Sequence, residues 1–139
     1  MISQTAEYAL RAAVHLADQA GETGHPLTAP VIAAATQVPV GYLSKVLQNL
    51  SRAGIITSQR GPGGGFRLAR EATDITIYEV VQAVDTLPRI HKCPLGLEEH
   101  ERLCPLHRRI DEAMALVEKA FRETTIADLM KQPSSLCRL

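Results

Sequence analysis

Apolar residues recur at helical spacing from the start of the chain. Ala6, Leu10, Ala13, Val14 and Ala17 fall at three- and four-residue intervals, which predicts an amphipathic helix. Ser3 stands where an N-cap belongs, and Gly21 where a helix stops. After the loop "GETGHP", Thr28 is placed to cap a short second helix through Thr36. Pro30 sits in its first turn, where a missing N–H is tolerated. Beyond "QVP" a third helix is expected from Pro39 or Val40 to Ala53. Leu43, Val46, Leu47 and Leu50 form its buried stripe and Gly54 its C′ residue. A short helix, a brief turn and a longer helix make a helix-turn-helix.

The period then changes. "IITSQR" and "FRLAR" are short β-prone runs on either side of "GPGGG", which predicts a hairpin. A hairpin directly after a helix-turn-helix makes a wing. Thr76 and Glu79 have capping-box spacing for a fourth helix carrying Ile77, Val80, Val81 and Val84. "DTLPRIHKCPLGLEEHERLCPLH" shows no clean period and reads as a loop of functional type. After Pro105 a long helix resumes, with an apolar stripe of Ile110, Ala113, Met114, Val117, Ala120 and Phe121. Thr125 with Asp128 marks a last short helix, and the tail "KQPSSLCRL" is expected to be frayed. The fold class is therefore mainly α with a small β-hairpin wing, a winged helix-turn-helix followed by a long helix.

Composition adds bounds. The 139 residues include no Trp, two Phe and three Tyr, so the core is built from Ala, Leu, Val and Ile. No run approaches the roughly 18 apolar residues of a membrane span, and "MISQTAEYALR" is too polar for a secretory leader. A cytoplasmic protein is expected, with cysteines serving metal or redox chemistry rather than structural disulfides. The net charge is zero, but its distribution is uneven. Twelve of the fifteen acidic residues lie from Glu71 onward. Between Glu22 and Glu71 there is none, while Lys45, Arg52, Arg60, Arg67 and Arg70 fall there. A neutral chain with such a segment presents a positive face to anions.

The glycine-rich stretch "RGPGGGF" does not have the chemistry of a nucleotide loop. No Lys-Ser/Thr pair follows it, and the next element is β-like rather than helical. Glycines at a hairpin tip let the backbone approach a phosphate chain closely, and Arg60 and Arg67 flank that tip. The N-terminal part of the third helix would face the major groove, with Tyr42, Ser44, Lys45, Gln48 and Asn49 off the apolar stripe. Double-stranded DNA is the expected partner. No Ser-His-Asp set, no paired carboxylates in a cleft and no nucleotide loop point to an enzyme.

Cys93, Cys104 and His107 are soft and borderline ligands within one loop and the first turn of a helix. Cys104 and His107, three apart, share a helix face. The set leaves several chemistries open: an iron–sulfur cluster, a Cys93–Cys104 thiol switch, a zinc site, or no ligand. Cys137 lies in the tail and is expected to be an incidental thiol.

"TAEYALRAAVHLA", "YLSKVLQNLSRAGII", "RGPGGGFRLAR" and the "C…CPLH" segment, in that order, resemble the IscR/NsrR-like family of winged-helix iron–sulfur transcriptional regulators. The resemblance covers nearly the whole chain. It implies a homodimer joined through the long helix, with residues 1–88 as the DNA-binding domain. Residues 89–104 become a sensor loop, and 105–139 the dimerisation helix and tail. It places DNA contacts on Tyr42, Ser44, Lys45, Arg60, Gly63, Gly64 and Arg67. It also implies a cluster, 2Fe–2S favoured over 4Fe–4S, held by Cys93, Cys104 and His107. A carboxylate such as Glu7 of the partner chain would join them. Where the family has a middle cysteine this chain has Glu98 and Glu99, so Glu98, Glu99, His100 and Glu7 are all candidates for the fourth position.

Overall fold

The computed structural model describes residues 2–22, 24–96 and 102–131. The expected tail with Cys137, and the candidates Glu98, Glu99 and His100, lie outside the described residues.

Helix α1 (Gln4–Glu22) is opened by Ser3, whose Oγ accepts the Ala6 N–H at 3.1 Å. It buries Ala6, Ala9, Ala12, Ala13, Leu16 and Ala17. The small side chains let neighbouring helices approach closely, so a chain poor in aromatics still fills its core. The helix runs one residue past the expected stop at Gly21. Nothing there opposes it: Gly21 has open space around it, and Gln19 Nε2 donates to Glu22 Oε2 at 3.0 Å.

Helices α2 (Ala29–Thr36) and α3 (Val40–Arg52) form the helix-turn-helix, with α1 packed against both. Thr28 occupies the N-cap of α2, but its side chain makes no capping hydrogen bond. The turn passes through Gln37, whose φ of 55° lies in the left-handed region; its N–H donates to the Ala33 carbonyl. Leu43, Val46, Leu47 and Leu50 are buried, as the spacing requires.

Strands β1 (Ile56–Gln59) and β2 (Gly65–Leu68) pair antiparallel, with Ile56 opposite Leu68 and Gln59 opposite Gly65. The α1–α2 connection adds a third rung. The Leu27 N–H donates to the Phe66 carbonyl at 2.9 Å, and the Phe66 N–H to the Leu27 carbonyl at 2.7 Å. Gly65 permits this approach. Its φ is +146°, and a Cβ there would lie 2.5 Å from the Leu27 backbone.

Helix α4 (Ile77–Val84) begins with the expected capping box between Thr76 and Glu79. Helix α5 (Pro105–Glu123) packs against α4, and α6 (Ile126–Met130) begins with the Thr125–Asp128 capping box. The chain then returns to the start of α4. The Ile77 N–H donates to the Thr124 carbonyl at 2.9 Å, and the Ile126 N–H to the Ile75 carbonyl at 2.8 Å. Ile126 is fully buried in the same core as Ile75, Val80, Leu43 and the α1 alanines, so α6 shares the core of the winged helix.

In a single chain α5 has no buried residue. Its expected stripe divides into two faces. Met114, Val117 and Phe121 are half-buried, whereas Ile110, Ala113 and Ala120 are exposed, together with Leu106 and Leu116, which were not in the expected stripe and are exposed to 65% and 69%. Large apolar side chains so exposed along one helix mark a face built to meet another surface.

Candidate nucleic-acid interface and metal centre

Burying Leu43, Val46, Leu47 and Leu50 turns the opposite side of α3 outward. Gly41, Lys45, Gln48 and Arg52 recur on that side at helical spacing, and all are exposed. Ser44 is exposed beside them, its hydroxyl donating to the Val40 carbonyl at 3.0 Å. Tyr42 is 56% exposed and leans on Tyr8 of α1, ring centroids 6.1 Å apart and nearly perpendicular. Arg11 lies over the Tyr8 ring and donates to the Thr36 carbonyl at the end of α2. The N-terminal turn of α3 is thus supported from α1. Gly41 and Arg52 share this exposed side without having been singled out from the sequence, although their spacing from Lys45 carries the signal.

The wing tip holds Arg60 and, on β2, Arg67, both exposed. The Gly64 N–H donates to the Gly61 carbonyl at 2.9 Å, and a Cβ on Gly64 would lie 2.2 Å from the Gln59 carbonyl oxygen. Glycine at 64 is therefore demanded by the hairpin itself. Gly61 and Gly63, with φ of +94° and +72°, have open space around them.

Charge pairing distinguishes this face from the last two helices. Lys45, Arg52, Arg60 and Arg67 make no ion pair among the described residues. On α5 and α6, by contrast, Arg108, Arg109, Lys119, Arg122 and Lys131 all have carboxylate partners. Arg70, the last cation of the acid-free segment, is also neutralised, by Glu79 at 2.8 Å.

The three soft ligands converge. Cys104 is the N-cap of α5 and His107 lies in its first turn, while Cys93 arrives from the preceding loop and is buried. His107 Nδ1 stands 3.1 Å from Cys104 Sγ and 3.7 Å from Cys93 Sγ, and all three ligand atoms lie within 4.8 Å of one another. Both cysteines are free thiols. A four-coordinate ion with sulfur at about 2.3 Å and nitrogen at about 2.0–2.1 Å sets its ligand atoms roughly 3.5–3.8 Å apart. The Cys93–His107 separation of 3.7 Å meets that spacing, while the 3.1 Å between Cys104 and His107 is shorter and would open by a few tenths of an ångström round an ion. An iron–sulfur cluster spreads its protein ligands over two or more irons with sulfides between them. Three donors gathered round one point fit one metal position and leave a second iron without a ligand among the described residues. Glu7, expected to join from a partner chain, is ion-paired with Arg11.

A clamp lies next to the triad. Arg89 Nε and Nη2 donate to the two carboxylate oxygens of Asp111 at 2.7 and 2.9 Å, and Nη1 donates to Glu118 at 3.2 Å. The Ile90 N–H adds a bond to Asp111 at 2.9 Å. Arg89 and the Ile90 amide hold the Asp111 carboxyl well below the usual carboxylate range, and Arg89 is pushed up in turn. Glu118 is shared with Arg122, whose guanidinium stacks 3.5 Å over the Tyr78 ring on α4. The segment leading to Cys93 is therefore tied to α5, and α5 to α4. No local pattern announces a pair 22 residues apart.

Two helices joined by a tight turn, a glycine-tipped hairpin and a free positive face define a winged helix-turn-helix DNA-binding regulator. The chain belongs to the Rrf2 family of iron-dependent transcriptional regulators, whose pattern matches residues 2–132. It is 31% identical over 134 residues to a helix-turn-helix transcriptional regulator of Aquifex aeolicus, covering 94% of this chain and 91% of that protein. The fold is that of T. potens IscR, with TM-score 0.77 and 24% identity, 94% of this chain and 86% of the other being covered. It is equally that of CymR, the global cysteine regulator of B. subtilis, with TM-score 0.77 and 24% identity over 94% and 96% of the two chains. No helix among the described residues is long and apolar enough to cross a membrane.

Proposed function

We propose that this regulator works in the cytoplasm as a homodimer whose affinity for a two-half-site operator follows the state of the Cys93–Cys104–His107 site. The observation that carries the reading is where the triad sits. Two of its ligands belong to the first turn of α5, and the third to the segment that leads from the winged helix into α5.

The exposed apolar face of α5 supplies the dimer contact. Pairing two copies through it sets two α3 helices in successive major grooves, about one turn of duplex apart. A group bound by both thiolates and the imidazole fixes the direction in which α5 leaves the winged helix. Releasing that group leaves the Arg89–Asp111 pair as the remaining tie between the Cys93 segment and α5, and changes the separation of the reading helices. The thiolate and imidazole donors suit a soft metal group, either the iron–sulfur cluster that the resemblance implies or a single ion. Tyr42, Ser44, Lys45, Gln48 and Arg52 read or anchor in the major groove. Arg60, Gly63 and Arg67 engage the adjacent minor groove or its phosphates, with Gly64 shaping the tip.

The test is operator selection from a random duplex pool, followed by anisotropy titrations of metal-replete wild type and a Cys93→Ala, Cys104→Ala variant. The variant is expected to bind the selected duplex with altered affinity. Equal affinities would end the sensing role, and failure to retain any duplex in a salt-sensitive manner would end the DNA-binding one.

A further inference from the structure

We infer that Cys93, Cys104 and His107 hold one four-coordinate divalent ion of the zinc class, zinc or ferrous iron, rather than an iron–sulfur cluster. This rests on the reading of the triad as the regulatory site and names its occupant.

The geometry comes first. His107 Nδ1 faces both sulfurs, at 3.1 and 3.7 Å, so the imidazole is aimed at the point the two thiols share. That orientation turns Nε2 away from the metal point, the side from which a metal-bound histidine usually donates a hydrogen bond. Cys104 occupies the N-cap of α5, yet its side chain makes no capping bond. Its sulfur is therefore not spent on the helix.

Charge and donor type follow. Two thiolates and a neutral imidazole carry two negative charges, which a divalent ion cancels beside the buried Cys93. No carboxylate joins the group among the described residues, and the Asp111 carboxylate on the same helix is engaged by Arg89. Without hard oxygen donors the site disfavours magnesium and calcium and suits zinc, with ferrous iron weaker in the general affinity order. The three ligands among the described residues leave a fourth corner, to be taken by water, an exchangeable ligand or one of Glu98, Glu99 and His100, which lie outside the described residues.

The test uses full-length protein prepared without oxygen, stripped with a chelator, then titrated separately with Zn2+, Fe2+ and Co2+. The expected result is one ion per chain, no acid-labile sulfide, and a cobalt form with tetrahedral d–d and thiolate charge-transfer bands. His107→Ala should weaken zinc by more than about 100-fold, beyond the loss typical of removing a group that only orients a ligand, with the helical circular dichroism kept. His107→Cys should retain the ion. Two irons and two sulfides per chain would overturn the inference, as would no retained ion, or a Cys93–Cys104 disulfide that forms in preference to metal binding. Duplex affinity is read on the same samples. One bound ion with unchanged DNA binding leaves the inference standing and removes the regulatory reading instead.

Discussion

Replacing Arg60 with alanine probes the interface at one of its unpaired cations. Lys45, Arg52, Arg60 and Arg67 are exposed and have no ion-pair partner among the described residues. A dimer presents each of them twice. If each meets one phosphate, about eight counterions are released, and log K falls against log salt with a slope of about −7. From about 50 to 200 mM salt the affinity then drops by about 10⁴-fold. Arg60→Ala removes two of those contacts and should flatten the slope to about −5.5. At fixed salt the loss should be about 1–3 kcal/mol per site if the guanidinium reads a groove. The assay is fluorescence anisotropy on a selected duplex and on a scrambled one, across a salt series. Equal loss on both assigns Arg60 to phosphate, whereas loss on the selected duplex alone assigns it to base or groove recognition. Arg109→Ala is the control. It removes an α5 cation already paired with Glu112, and should leave the slope unchanged. Should Arg60→Ala leave both slope and affinity at the wild-type values, the free positive face is not the DNA surface.

Gly64→Ala should weaken duplex binding about as much as losing Arg60, with little change in melting temperature, because a Cβ 2.2 Å from the Gln59 carbonyl oxygen forces the wing tip to rebuild. An unaffected titration would show that the tip is dispensable. Leu116→Glu should halve the mass seen by light scattering while circular dichroism stays constant; a persistent dimer would place the interface elsewhere. Ile126→Ala should cost about 2–5 kcal/mol and lower the melting temperature by roughly 10 °C, since the side chain is fully buried in the winged-helix core. A loss below about 1 kcal/mol would mean that α6 is not docked there. Asp111→Asn should speed hydrogen exchange at the Ile90 amide at neutral pH. The folded-state carboxyl lies below its unfolded value, so its stabilisation is complete above the ordinary carboxylate range and lost only as pH falls through the lowered value. The difference between wild type and variant should therefore shrink only in strong acid, and a difference that disappears already near pH 6 would refute the clamp.

Much of the architecture could be read from short stretches. The α3 stripe, the Thr76–Glu79 and Thr125–Asp128 capping boxes and the hairpin around "GPGGG" all depend on residues within a few positions of each other. Caps, turns and helical spacing are local physics, so they survive being read one segment at a time. The Cys93, Cys104 and His107 set was legible for the same reason: donor type and spacing are written along the chain.

Folding alone settled how far the donors converge. Their common point depends on Arg89 binding Asp111 and on α5 lying against α4. It also took the fold to divide the α5 stripe into a half-buried face and an exposed one, to send Ile126 back into the first domain's core, and to neutralise Arg70 while leaving Arg60 and Arg67 free. Each of these outcomes is set by contacts between residues far apart in the chain. Their energies come from burial and charge pairing in three dimensions, and one-dimensional periodicity contains neither.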